Sequence, residues 1–255
     1  MKLTIITVCL NAANTIEKTL KSIIGQSYKN IELIVFDGKS EDGTTDIIEK
    51  YKEHITYFKS AKDKGVYDAM NLALEKATGD YVLFFNAGDT FCDENVLKNA
   101  MEEISKNTDY DFVFGWSKDI DKNGNCVKIN KCENYKNKIF FANNNICHQA
   151  IFYKRCLFFD DKYDIENFKI YADWDFNARI RRCKKAKMLP LNFAICNFLI
   201  GGISTDMQNS KIFEAEKDLI RKKYFKEIYP FYKIDKFMLK TFKSIYLPIR
   251  SIFIK

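Results

Sequence analysis

Residues suited to ligand chemistry recur at one kind of place in this 255-residue sequence: just past apolar, strand-like runs. Thr7 and Asn11 follow the first run, Asp37 the second, Asp63 the third, and Asn86 and Asp89 the fourth. Any one of them could be an ordinary turn former, because Asp and Asn suit turns and caps. Their repetition at successive strand ends fits a binding edge instead, since open parallel sheets take ligands beyond the C-terminal ends of their strands. The turn Asn86-Ala87-Gly88-Asp89 offers a single carboxylate. One suffices for a hard cation such as Mg²⁺ when a substrate's phosphates and water complete the coordination. Neither a Gly-x-Gly-x-x-Gly run after the first strand nor a Gly-Lys-Ser/Thr loop is present. A bound nucleotide diphosphate would therefore need such a cation in place of a glycine-rich cradle.

The elements that must carry these residues alternate. Leu3–Cys9 is a β-branched apolar run, and a helix follows with Asn14 as its expected N-cap, Glu17 three residues later, and Ile16, Leu20, Ile23 and Ile24 on one face. Glu32–Phe36 and Ile55–Lys59 read as strands around a helix over Thr44–Tyr51. Asp68–Ala77 reads as a helix stopped by Gly79, Tyr81–Phe85 as the fourth strand, and Glu94–Ser105 as the next helix. Repeated β-α-β units imply a mostly parallel, Rossmann-like sheet with helices on both faces. The second half is mixed: strands at Phe112–Trp116, Ala150–Tyr153 and Phe193–Leu199, a hairpin turn at Lys122-Asn123-Gly124-Asn125, a helix opening near Asp173, and a break at Gly201-Gly202.

Composition limits the alternatives. With 47% hydrophobic residues, 22 Phe and only three Pro, the chain can bury a sizeable core. Eight cysteines are scattered without a Cys-x-x-Cys pair, which fits reduced thiols better than zinc ligation. The first apolar run is too short for a membrane span and lacks a cleavage signature, so export is not expected and a cytoplasmic location is. The net charge of +7 is uneven: residues 221–255 hold ten Lys and Arg against two Asp and Glu, while the rest is near neutral. That balance argues against a nucleic-acid partner. It divides the chain into a body over 1–220, with halves at 1–110 and 111–220, and a basic, amphipathic helical tail over 221–255.

The runs TIITVCLNAANTIEKTLKSIIGQSYKNIELIVFDGKSEDGTTDII and DKGVYDAMNLALEKATGDYVLFFNAGD, followed by HQAIFYKR, YADWDFNARI and FLIGGIST in that order, resemble the family 2 glycosyltransferases of the GT-A fold. The resemblance is closest to bacterial members that build surface polysaccharides. It implies a nucleotide-sugar-binding first half and a mixed acceptor half. On the donor side it places Thr7 and Asn11 in the wall of the nucleotide pocket, Asp37 on the uracil imide, Asp63 as a second acid, and Asp68 and Asn71 nearby. Asn86, Ala87 and Gly88 line the donor, and Asp89 stands as the last acid of a metal-binding Asp-x-Asp-type motif. Here the chain departs from the commonest pattern, with Asn86 and Gly88 where acids often occur. Asp173 matches the catalytic base, although Ala172 replaces the usual preceding Glu and Asp175 stays open as the in-register alternative. His148, Gln149 and Trp174 fall on the acceptor side, and Gly202, within Gly201-Gly202-Ile203-Ser204, matches a segment that closes over donor phosphates.

These matches imply an inverting, metal-dependent hexosyltransferase using Mg²⁺ or Mn²⁺, a nucleotide-diphosphate donor of the uridine type, and a saccharide or lipid-linked acceptor. A sugar nucleotidyltransferase would want a basic, glycine-rich loop after the first strand, and LNAANT supplies neither feature. A non-catalytic sugar-nucleotide-binding protein is the other alternative, and joint retention of Asp37, Asp89 and Asp173 weighs against it. The tail interleaves aromatics and Ile/Leu with Lys and Arg, a pattern suited to the anionic inner face of a membrane.

Overall fold

The computed structural model describes residues 1–106, 108–202, 208 and 210–234. Four parallel strands, β1 (Leu3–Cys9), β2 (Ile31–Asp37), β3 (Tyr57–Ser60) and β4 (Tyr81–Phe84), form one half of a nine-stranded sheet. The other half comprises β5 (Thr90–Phe91), β6 (Phe112–Ile120), β7 (Cys126–Asn130), β8 (Ile151–Lys154) and β9 (Met188–Leu199). Strand order is β3-β2-β1-β4-β8-β6-β9-β5, with β7 beside the later part of β6. Strand β8 joins the halves, antiparallel to both β4 and β6, while β6 and β9 run parallel. All seven residues of β1 are buried, which is why it reads as an unbroken apolar run rather than an alternating one.

Helices cover both faces. On one, α1 (Ile16–Ile24) and α4 (Val96–Lys106) pack Ile16, Leu20, Ile23, Leu97 and Ala100 against Leu3, Ile5 and Leu83; α2 (Thr44–Glu49) adds Ile48. On the other, α3 (Val66–Leu74), α5 (Lys138–Asn143), α6 (Ala172–Arg182) and α7 (Ser210–Tyr224) pack against Ile6, Val8 and Phe84. An aromatic nest supports α6: Phe158 stacks on Phe176 with centroids 4.4 Å apart, and Tyr153 and Tyr163 meet Phe176 edge-on. This is the α/β architecture of the GT-A fold.

Several bounds differ from the expected ones. Thr15 rather than Asn14 precedes α1, without a side-chain cap, and α2 ends at Glu49 before a 3₁₀ turn at Lys52–His54. β9 starts five residues before Phe193, because pairing with β6 extends it beyond its apolar core. The boundary expected at 220/221 falls inside α7, whose buried Ile220, Arg221 and Tyr224, with Phe225 beyond them, pack on the body. The start of the expected tail is thus tied to the body through these side chains, while Phe231 and Ile234 are exposed; residues 235–255 lie outside the described residues.

Candidate active site

The donor-side turns are laced to one another. Asn11, at φ 48°, donates its backbone N–H to Ser40 Oγ and accepts Glu41 N–H on Oδ1, while the N–H groups of Ala12 and Ala13 reach Thr44 Oγ1 and Asp42. Asp37 is fully buried. Its carboxylate accepts from Ser40 N–H at 2.9 Å, Ser60 Oγ at 2.6 Å and the Ser40 hydroxyl, with Cys9 Sγ close by. In this structure Asp37 therefore builds the turn after β2. Asp63 is half-buried and presents the more accessible carboxylate: Oδ1 accepts Gly65 N–H, and Oδ2 lies where a side chain on Gly38 would stand. Burial raises the Asp63 carboxyl above its ordinary range, with Asp68 and Asp37 adding to the effect. Asp68 reaches back to Lys64 N–H from the first turn of α3.

Two expected lining residues are placed elsewhere. Asn71 spends both ends of its amide on the main chain of Tyr163, at 2.9 and 3.0 Å, which fastens α3 to the second half. Trp174 is 1% exposed and donates Nε1–H to Phe141 O, so its ring is core rather than acceptor wall. The reason is geometric: α6 turns Trp174 toward the apolar face that holds the helix to the sheet.

The turn Asn86–Asp89 continues β4 alongside β1. Gly88 adopts φ 105°, a backbone conformation that favours glycine, and a Cβ there would stand 3.1 Å from Leu199 Cδ2, close enough that the leucine would have to shift. Thr19 of α1 braces the turn from behind, accepting Gly88 N–H and donating to Asp89 O. The Asp89 carboxylate accepts Leu199 N–H on Oδ1 at 3.0 Å and Gln149 Nε2–H on Oδ2 at 2.9 Å. Burial pushes this carboxyl up to about 7, against the opposing pull of the Leu199 N–H, the Gln149 amide and nearby His148. Asn86 Oδ1 and Thr7 Oγ1 are buried without a hydrogen-bond partner from the chain.

Across from this turn, Asp173 opens α6. Oδ1 accepts Trp174 N–H at 2.8 Å and faces the Tyr67 hydroxyl at 2.9 Å, whose single proton is shared with Ile170 O. Oδ2 meets Asn145 Nδ2 at 2.7 Å and His148 Nδ1 at 3.1 Å. Asn145 is held in turn by Asn177, which accepts from Tyr153. Glu216 of α7 clamps the approach to α6, its carboxylate accepting the N–H groups of Lys169, Ile170 and Tyr171. Asp175, the alternative base, is wholly buried between Lys223 Nζ at 3.1 Å, Tyr224 Oη at 2.8 Å and Arg179 at 3.5 Å. It anchors α7 and faces no cleft. Tyr67, Asn145, Asn177 and Glu216 escaped the sequence reading, because amides and a helix acid without periodicity carry no signal before the chain is folded.

Gly201 and Gly202 are exposed beyond β9, and the rest of the expected closing segment, 203–207, lies outside the described residues. A cleft of about 330 Å³ borders the site through Gly88, Thr90 and Leu199 and extends to Lys18 and Lys122, without contact to Asp37, Asp63 or Asp173. Among the described residues no three His, Cys, Asp or Glu side chains gather as a metal cluster. A one-carboxylate site nevertheless fits. Asp89 is buried, its direct hydrogen-bond partners are neutral, and a cation beside it would offset the cost that raises its pKa.

The geometry thus gathers Asn86, Asp89, His148, Gln149 and Asp173 at one site on the sheet edge, and comparison with known proteins gives the family. The profile described as "Glycosyl transferase family 2" matches residues 4–167, and the chain belongs to that family. A "PGL/p-HBAD biosynthesis glycosyltransferase" of Mycobacterium bovis is 33% identical over 181 residues, covering 67% of this chain. The chain spans 66% of that relative's length. Among solved structures, S. aureus TarS 1-349 in complex with UDP-GlcNAc superposes with a TM-score of 0.67 at 20% identity, over 94% of this chain and 76% of that one. The mannosyltransferase PcManGT from Pyrobaculum calidifontis, in complex with GDP-Man and Mn²⁺, gives 0.61 at 16%, over 89% and 63%.

Proposed function

We propose that the chain is an inverting glycosyltransferase of hexosyl type. It moves a sugar from a uridine-diphosphate donor to a saccharide or lipid-linked acceptor in surface-polysaccharide synthesis. The observation that carries this reading is the convergence of Asp89 and Asp173, from opposite halves of the sheet, on the adjacent residues His148 and Gln149. A donor-holding acid and a proton-accepting group must flank one anomeric carbon in a single displacement, and this pair of contacts holds them to a common frame. The TarS complex with UDP-GlcNAc and the mannosyltransferase complex with GDP-Man and Mn²⁺ support a nucleotide-sugar donor and a divalent ion.

Thr7, Asn11, Asp63 and Asp68 border the nucleoside, with Asp37 shaping their turn. Asn86, Ala87 and Gly88 bring backbone and amide close to the diphosphate, and Gly202 lies where a closing segment would begin. Asp89 would hold Mg²⁺ or Mn²⁺, which when bound neutralises charge on the departing diphosphate. Gln149 and the Leu199 N–H aim that carboxylate. On the acceptor side the Asp173–His148 pair takes the hydroxyl's proton as the oxygen attacks.

Among the described residues no helix is long and apolar enough to cross a membrane. Residues 235–255, outside the described residues, carry five Lys and Arg against one Asp among Phe, Ile, Leu and Tyr. We assign them to a peripheral contact with the anionic inner leaflet, where a lipid-linked acceptor would be met.

Thermal melts with a panel of nucleotide sugars, with and without Mn²⁺, test the function. A ligand of the native state raises the midpoint by mass action. The expected result is a Mn²⁺-dependent rise with a uridine donor that disappears in Asp89→Asn. A panel without any such rise refutes the reading.

A further inference from the structure

Helix α6 opens on Asp173 and closes at a surface that is both cationic and apolar. A cavity of about 370 Å³ there is lined by Tyr135, Lys136, Arg181, Lys185, Ala186 and Met188, among them three cations and no acid. Arg181 is half-buried. Its guanidinium bonds to Tyr135 O, to Lys136 O at 2.8 Å and to Met188 Sδ at 3.5 Å, and lies over the Phe141 ring at 4.1 Å, all of them uncharged partners. Burial, with Arg182 nearby, lowers its pKa from the ordinary value, a cost that an anion in the cavity would relieve. Lys136 and Lys185 are exposed and make no ion pair among the described residues.

The last described segment adjoins this cavity. Lys138, at the start of α5, and Arg182 both reach Glu227, at 3.5 and 2.5 Å, and Arg182 Nε donates to Tyr224 O. A helical stretch over 229–234 follows, fastened by Tyr232, whose ring lies 3.9 Å from Arg221; that arginine bonds in turn to Ala142 O and Asn143 of α5. The stretch leaves Phe231 71% exposed and Ile234 59% exposed, three residues apart on one helical face, and Ile139 of α5 is 57% exposed. Single exposed apolar residues are ordinary. Three of them beside a cavity rich in cations have the composition of a surface that sits among lipid headgroups, where apolar side chains enter the acyl boundary and cations meet phosphate. A free phosphate would fill the cavity and leave Phe231, Ile234 and Ile139 in water.

We propose that this surface docks the protein onto an anionic bilayer, with the Arg181 cavity taking a headgroup phosphate and Ile139, Phe231 and Ile234 entering the interface. The surface belongs to the folded body, so it goes beyond the contact assigned to residues 235–255, which continue from Ile234 with charge of the same sign. Asp173 and Arg181 lie eight residues apart on α6, roughly 12 Å along its axis, which leaves the proton-accepting pair within reach of the sugars of a lipid-linked acceptor. Only that purpose rests on the transferase reading; the docking does not.

Flotation of the full chain with vesicles of phosphatidylcholine alone, or mixed with phosphatidylglycerol, tests the surface without any nucleotide sugar. Each basic group near an anionic leaflet contributes roughly fivefold in partition. Lys136→Glu with Lys185→Glu should lower partition onto the anionic vesicles about tenfold or more at low salt, an effect that fades with salt. Lys29→Glu with Lys98→Glu makes the same change of charge on exposed lysines before β2 and on α4, and should stay within about threefold of wild type. Phe231→Ser with Ile234→Ser should lower partition about fivefold or more at both low and high salt. All these positions are exposed, so melting midpoints should match wild type and separate lost docking from lost fold. Equal losses from the two lysine pairs would mean that net charge alone is read, and would overturn the surface. Partition within about threefold of wild type for either the Lys136/Lys185 or the Phe231/Ile234 variant also overturns it, leaving residues 235–255 as the contact. A wild type indifferent to anionic vesicles overturns docking by body and tail alike. None of these outcomes touches Mn²⁺-dependent donor binding, so docking and the transferase reading fail separately.

Discussion

Gln149 donates its side-chain amide to Asp89 Oδ2 at 2.9 Å, and the residue before it, His148, meets Asp173 Oδ2 at 3.1 Å. Two acids far apart in sequence are thereby held to one 3₁₀ turn, His148–Ala150, which leads directly into β8. Because β8 pairs with both β4 and β6, the spacing between the acids is set from the strand that joins the two halves of the sheet.

The Gln149 contact makes a direct prediction. Gln149→Leu leaves a buried carboxylate without one of its two donors. Partners that orient a metal ligand typically contribute 10- to 100-fold in affinity, and an unsatisfied buried acceptor costs about 1–3 kcal/mol. Calorimetric titration of donor with Mn²⁺ should show the loss of affinity, and melting should show the loss of stability. Unchanged affinity would remove Gln149 from the site.

Asp173 and Asp175 should separate cleanly. Asp175→Asn disturbs a fully buried cluster with Lys223, Tyr224 and Arg179, so it should lower stability by roughly 3 kcal/mol and leave turnover at permissive temperature close to wild type. Asp173→Asn should do the reverse, lowering turnover by roughly 10²–10⁴ with donor affinity nearly intact. Paired melts and initial rates check both; a turnover defect confined to Asp175→Asn would exchange the roles.

Glu32 predicts a pH dependence far from the site. Burial acts to raise its carboxyl, but hydrogen bonds from Lys2 Nζ, Thr4 Oγ1 and both Thr78 donors outweigh burial and hold it at about 2. An unfolded glutamate titrates near about 4.3. A pKa depressed on folding contributes stability that is full above the unfolded value and is lost as pH falls toward the folded one. The advantage of wild type over Glu32→Gln should therefore be constant from pH 7 to about 5 and shrink between about 4 and 2. Urea midpoints across that range decide it, and an advantage that grows on acidification would refute the assignment.

The basic stretch beyond residue 234 should bring the full chain to anionic vesicles and leave it off neutral ones. Each Lys or Arg near such a surface contributes about 1 kcal/mol, and the effect should fade with salt over a Debye length of about 10 Å at 0.1 M. Flotation at two ionic strengths measures this; indifference to anionic vesicles at low salt would point to a soluble acceptor.

Much of the framework was legible in the sequence because it is local. The apolar runs of β1, β2 and β4, the turn residues after them and the helices between them announce a parallel sheet with a polar edge. They do so through unbroken apolar runs for the strands and a 3.6-residue period for the helices, neither of which needs a distant partner. That is how Thr7, Asp37, Asp63 and Asp89 could be located before any fold was known. Which of them keep a lone pair for a ligand was not local information. Asp37 is enclosed by Ser40 and Ser60, and Asp173 is surrounded by Tyr67, Asn145, Trp174 and His148. Asp175 is claimed by α7, and Trp174 is turned into the core. Most of these outcomes depend on contacts between residues many positions apart, and a carboxylate's chemistry is decided by what fills its lone pairs and how much water remains beside it. Residue types along the chain determined the sheet and its polar edge; tertiary packing decided which acids are enclosed by the chain's own groups and which keep a lone pair open.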